Sequence, residues 1–166
     1  MAASRFDPYA IFHALDRERV FYVLIGGLAR VLEGSDEVTR GVDLVPSMRP
    51  ENLRRLEAAL HSLDARPADG DALVLERLDQ TRVLTLESSY GQIKLVPEPE
   101  GTRGYEDLHR HARHEPLGDG LRIAVASPGD LVRMLSALGR ETDELTIETM
   151  QRVVELEHEL TRGIEL

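Results

Sequence analysis

The longest hydrophobic run in the chain spans residues 20–25, VFYVLI, and ends on Gly26-Gly27. An unbroken run of that length suits a strand covered on both faces. Ahead of it, Asp7-Pro8 opens a helix, with Asp7 as N-cap and Pro8 first. Ile11, Phe12 and Leu15 follow at helical spacing, up to about Arg19. After the glycine pair, residues 28–33 read as a short helix closed by Gly34-Ser35, and residues 42–45 as a strand closed by Pro46. A helix begins at Pro50, with Leu53, Leu56, Leu60 and Leu63 on one stripe. Past a polar loop at 67–71, strands are expected at 72–78, 82–87 and 91–96. The last two are joined as a hairpin through Ser88-Ser89-Tyr90. A histidine-rich helix over 105–113 and a strand over 121–126 come next. Ser127-Pro128-Gly129-Asp130 then has the form of a capped helix entry. That helix runs to Leu138 and stops at Gly139, and a final helix covers about 142–161. The mixture predicts an α/β or α+β fold around a largely buried mixed β-sheet. We read one domain, 1–166, with its core at about 20–126 and a helical C-terminal part at about 127–162.

Charge and composition narrow the chemistry. The formal net charge of −10 repels a phosphate backbone, and no basic run overrides it, so nucleic acid is disfavoured as a partner. Cysteine is absent, which excludes disulfides and thiolate metal sites. No apolar run nears the roughly 20 residues of a membrane span. The N-terminal MAASRFDPYA lacks the apolar core of a signal peptide. The expectation is a cytoplasmic protein with no membrane contact. Lys94 is the only lysine.

Gly26-Gly27, then Gly34-Ser35, then Thr39-Arg40-Gly41-Val42-Asp43-Leu44-Val45 form an ordered set. This set resembles the nucleotidyltransferase superfamily of the DNA polymerase beta type, in particular its small AbiEii- and MNT-like bacterial and archaeal members. Tyr90-Gly91-Gln92-Ile93-Lys94-Leu95 is similar to the strand that carries the third carboxylate. Ser127 to Met134, with Gly139-Arg140 and Asp143, is similar to the C-terminal helical segment. The resemblance spans most of the chain. It implies a nucleotidyltransferase-type mixed sheet flanked by helices, and a site that uses Mg²⁺ with a nucleoside triphosphate. Gly26, Gly27, Ser35 and Arg40 would bind the nucleotide. In such a site carboxylates on adjacent strands hold magnesium, and the metal neutralises triphosphate and activates the attacking hydroxyl.

The chain departs from that pattern where the chemistry is concentrated. Gly41 stands where the family's first aspartate is expected, leaving Asp43 as a remnant carboxylate. Lys94 stands at the third carboxylate, Leu135 where a helix lysine is common, and Thr146 at a later acidic position. A unit charge about 4 Å from a divalent ion, at an effective dielectric near 20, costs about 8 kcal/mol. Lys94 is therefore expected to lie beside Asp43 as its counter-ion, with no metal or other cofactor bound. The leading reading is a degenerate, catalytically inactive protein that acts by binding, as an antitoxin-like or regulatory subunit with a protein partner or as a homo-oligomer. The alternatives are a working nucleotidyltransferase with substitute ligands from Glu87, Glu98 or a partner chain, and a small-anion pocket built from Gly26, Gly27, Ser35 and Lys94.

Each residue also has a plainer reading. Asp43 could bond a turn at a strand end, Gly26-Gly27 could serve only a strand-to-helix turn, and Ser35 could be an ordinary turn residue. Arg40 could steer phosphate or pair with Glu37 or Asp36. His109, His111 and His114 do not share one helical face, and arginines lie between them, so a solvated segment is expected rather than a metal site. Asp107 and Asp143 read as surface or capping acids. Leu145, Met150, Val153, Val154 and Leu160 give the last helix an apolar face for core packing or a partner. Neither a nucleophile elbow nor a phosphate-binding or dinucleotide glycine loop is present.

Overall fold

The computed structural model describes residues 5–164, so Met1 to Ser4 of the stretch examined for a leader lie outside it. The described strands form a mixed seven-stranded sheet: β1 (Tyr22–Ile25), β2 (Gly41–Pro46), β3 (Arg66–Pro67), β4 (Leu84–Ser88), β5 (Gly91–Leu95), β6 (Arg113–Pro116) and β7 (Arg122–Val125). Their spatial order is β3-β4-β5-β2-β1-β7-β6. The run at 20–25 becomes the fully buried β1, flanked by antiparallel β2 and parallel β7. Helices α1 (Pro8–Arg17), α2 (Gly26–Leu32), α3 (Pro50–Ser62), α4 (Tyr105–His109), α5 (Pro128–Leu138) and α6 (Glu144–Ile164) complete the chain. Among the described residues, no helix is long and apolar enough to cross a membrane.

Strand alternation assigns the two faces of the sheet. Tyr22 faces α1, where its ring stacks on Phe12 at a centroid distance of 6.3 Å. Ile25, an odd number of residues further on, faces the other way, into a cleft that it shares with α5. α1 packs against α3, and α5 against α2 and α6. The helix entries follow local chemistry. The Asp7 carboxylate accepts from Ala10 N at 3.2 Å, and Ser127 Oγ accepts from Asp130 N at 3.2 Å. Gly139, at φ 64°, ends α5 in the left-handed conformation. Asn52 ties the helical layer to the sheet. Its Oδ1 accepts from Phe21 N at 2.7 Å, while its Nδ2 donates to Phe21 O at 2.9 Å and Ser47 O at 2.8 Å.

Three expectations need correction. Residues 72–78 do not form a strand; the chain makes one 3₁₀ turn at Leu75–Arg77, and Leu75 is buried. Without a ladder partner, the apolar stretch is satisfied by burying Leu75 and Leu78, with the turn packed against α3. The helix expected over 105–113 ends at His109, and residues 113–116 instead become the edge strand β6, paired antiparallel with β7. The short helix begins at Gly26 itself, not at Leu28.

Candidate functional site

Asp43 lies on β2 with Ile25 of β1 on one side and Lys94 of β5 on the other, in register with both. Gly41 lies two residues earlier on the same face, opposite Gln92. The sheet thus brings Asp43, Lys94 and Gly41 together, with Gly26 at the end of β1.

Packing decides why two glycines stand here. Gly26 has φ 76°, and an added Cβ would overlap Asp43 Oδ2 and lie 2.9 Å from its Cγ. The turn therefore needs glycine for its backbone angle and to leave room for the carboxylate. Gly41 has no left-handed angle, but a Cβ there would sit 2.5 Å from the main-chain oxygen of Gln92 and 3.1 Å from Gln92 Cβ. The β5 backbone closes over this position. An aspartate could not stand at residue 41 unless β2 and β5 moved apart.

Burial raises the pKa of Asp43, and the charges of Lys94 and then Arg30 offset this only in part. Lys94 acts through space, without a hydrogen bond to the carboxylate. Lys94 is thus the strand-register neighbour of Asp43, and the two side chains form neither a hydrogen bond nor an ion pair. Arg30, one turn into α2, is held by Glu37 through Nε at 2.7 Å and Nη2 at 2.8 Å. Ser35 Oγ donates to the same Glu37 carboxylate at 2.8 Å. This clamp keeps the Glu37 pKa low, chiefly through the Arg30 hydrogen bonds. Glu37 therefore takes Arg30 rather than Arg40 as its partner, and the Ser35 hydroxyl is engaged within the turn. Arg40 is exposed, and Gly27 sits in α2 where an added Cβ would meet Thr39 Cγ2 at 2.9 Å.

A cleft of about 360 Å³ opens beside Asp43. Gly26, Arg30 and Asp43 contribute to its wall, whereas Ser35, Arg40 and Lys94 do not. The opposite wall is Leu131, Met134, Leu135 and Leu138 of α5, a set legible in the sequence as an i, i+3, i+4, i+7 stripe. Glu98 and Glu100, on the loop after β5, and Arg140 complete the rim; Arg140 is bound to Asp143 at 2.7 Å. Sequence reasoning missed the Arg30–Glu37 clamp and the apolar character of this wall.

The donor set does not fit a magnesium ion, which needs oxygen ligands in near-octahedral geometry. Among the described residues, no group of three or more His, Cys, Asp or Glu side chains is arranged to hold a metal. Glu87 shares a row with Gly41 but lies two strands away, roughly 9–10 Å at ordinary strand spacing. It also accepts a hydrogen bond from Gln92 at 3.1 Å. His109, His111 and His114 fall on α4, on the loop and on β6. His111 approaches Asp130 at 3.7 Å, and Asp107 accepts from Arg103 N and pairs with Arg133.

No family model matches the sequence, and no curated protein does. Solved structures do match the fold. The Thermotoga maritima protein TM1012, assigned as a nucleotidyltransferase, aligns with a TM-score of 0.55 at 16% identity, over 87% of this chain and 90% of its own. The antibiotic-resistance factor ANT(2'')-Ia aligns in its solution structure with a TM-score of 0.52 at 15% identity, over 95% of this chain and 92% of its own. Its crystal structure with adenylyl-2''-tobramycin gives 0.54 at 14% identity, over 94% and 91%. The chain has the nucleotidyltransferase fold.

Proposed function

We propose that this nucleotidyltransferase-fold protein does not transfer nucleotides and acts by binding, as an antitoxin-like or regulatory subunit. The observation that carries the reading is the closure of β5 over Gly41, with the Gln92 oxygen 2.5 Å from the place of a Cβ. The loss at this position is built into the backbone, so a second carboxylate beside Asp43 has no space. Lys94, in register with Asp43, puts a positive charge where a metal ligand would be needed. Burial disfavours the charge on Asp43, and the charges of Lys94 and Arg30 offset this only in part.

A second reading has one observation in its favour: Glu98 and Glu100 share the cleft with Asp43 and could serve as substitute ligands in an active enzyme. The test is transfer of label from α-labelled nucleoside triphosphates with Mg²⁺ or Mn²⁺, to the protein itself, to added protein or to RNA. The binding-only reading expects no transfer above a metal-free control, and no effect of Asp43→Asn. Metal-dependent transfer abolished by Asp43→Asn would establish the active enzyme instead.

A further inference from the structure

The cleft beside Asp43 is unsuited to a triphosphate but suited to the opposite charge. Its two cations are already engaged, Arg30 by Glu37 and Arg140 by Asp143. Its carboxylates are not: Asp43, Glu98 and Glu100 form no ion pair with any described residue, and Lys94 and Arg30 act on Asp43 only through space. A triphosphate carrying about four negative charges would meet a net negative wall and no free cation within it. Among the described residues, no aromatic side chain lines the cleft to stack on a base. Leu131, Met134 and Leu135 instead offer an aliphatic wall opposite the acids.

That wall continues onto the surface. Val83 and Leu138 both line the cleft yet are 54% and 45% exposed. These two exposed apolar side chains stand at the mouth of the cleft, where a protein surface laid across it would cover them. We infer that the cleft is a docking site for a partner protein, which inserts a basic side chain, arginine or lysine, flanked by apolar residues. The basic head meets Glu98, Glu100 and Asp43, its methylene stem lies along α5, and the neighbouring apolar residues cover Val83 and Leu138. This rests on the binding-only reading and names the chemistry of what is bound.

The test uses three synthetic peptides, acetyl-Ala-Leu-Xaa-Leu-Ala-amide, with arginine, citrulline or glutamate at Xaa. Each is titrated into the ¹⁵N-labelled full chain and followed by ¹H–¹⁵N shifts. The arginine peptide is expected to move the amides of Gly26, Val83, Val96, Leu135 and Leu138 at millimolar concentrations. Citrulline should bind several-fold more weakly, and glutamate should leave the cleft unmoved. Added salt should weaken only the arginine peptide. Glu98→Gln with Glu100→Gln, both on exposed side chains, should weaken the arginine peptide about fivefold, with circular dichroism confirming the fold. Equal shifts from all three peptides, shifts confined to another surface, or none at the highest concentration would overturn the assignment. The labelled-nucleotide assay run on the same samples separates the two ideas. Transfer there refutes the binding-only reading, while the peptide shifts alone decide the docking site.

Discussion

Gly41→Ala is a direct probe of the closed position on β2. Gly41 does not have a left-handed φ, so alanine meets no backbone-angle penalty. In a strand that allowed it, alanine would stabilise by roughly 0.5–1 kcal/mol, because glycine loses more freedom on folding. Here the new Cβ would lie 2.5 Å from the Gln92 oxygen and 3.1 Å from its Cβ. The close neighbour is backbone in the centre of the sheet, where β5 bonds β4 on its other side, so it cannot swing away as a side chain end would. Relief requires β2 and β5 to separate by several tenths of an ångström. Overpacking of this kind costs about 1–3 kcal/mol. At roughly 2–4 °C per kcal/mol for a chain of this size, Tm should fall by about 2–12 °C. The control is Gly129→Ala on α5, where an added Cβ meets nothing within 4 Å and the φ is ordinary; it should be neutral or slightly stabilising. Thermal unfolding followed by circular dichroism reads both. A Gly41→Ala protein as stable as wild type would refute the closure. It would also remove the main support for a lost metal site, because Gly41→Asp would then become a practical route to restore one.

Other outcomes follow from the same geometry. Lys94→Met should raise the Asp43 midpoint further, since Lys94 is the larger of the two charges that lower it; carboxyl-resolved NMR titration reads this, and an unchanged midpoint would mean the charges do not communicate. Glu33, buried beside Arg113 and Glu115, has its pKa pushed up to about 7, mainly by burial. The folded state then holds a proton that the unfolded state releases near pH 4.5, so the Glu33 contribution to stability is full below that pH and is lost as pH rises to about 7. The Tm difference between Glu33→Gln and wild type should therefore change between pH 5 and 7.5 (roughly the window of that shift), and a constant difference would contradict the burial argument. Asn52→Ala removes three hydrogen bonds and leaves part-buried backbone groups of Phe21 and the buried carbonyl of Ser47 without that partner. Urea denaturation should show a loss of about 1–3 kcal/mol, and a loss below the measurement error would mean that water replaces the amide.

Local patterns carried most of the fold. The unbroken run ending in Gly26-Gly27 made β1 central because only a strand covered on both faces can bury such a run. Asp7-Pro8 and Ser127-Pro128 marked helix entries because a cap is satisfied by backbone groups three residues away, and the Ser88–Gly91 hairpin is equally local. The edge strand β6, RHEP, has no apolar alternation to announce it; its identity comes from pairing with β7, which is buried independently. Residues 72–78 failed in the opposite sense, having strand-like composition but no neighbour to complete a ladder.

The site divides along the same line. The order Gly26-Gly27, Gly41, Asp43, Lys94 was visible as a motif with altered positions, because residue types on successive strands are a property of sequence. Whether Gly41 is an open gap or a closed one depends on how near β5 lies to β2, a distance between strands about fifty residues apart in the chain. Which acid holds Arg30, and that Ser35 joins it, were equally set by how the turn after α2 folds back. The apolar stripe of α5 was readable as helix periodicity. That its outer part faces Asp43, Glu98 and Glu100 across a cleft was decided by tertiary packing, which alone brings residues from distant elements to one surface.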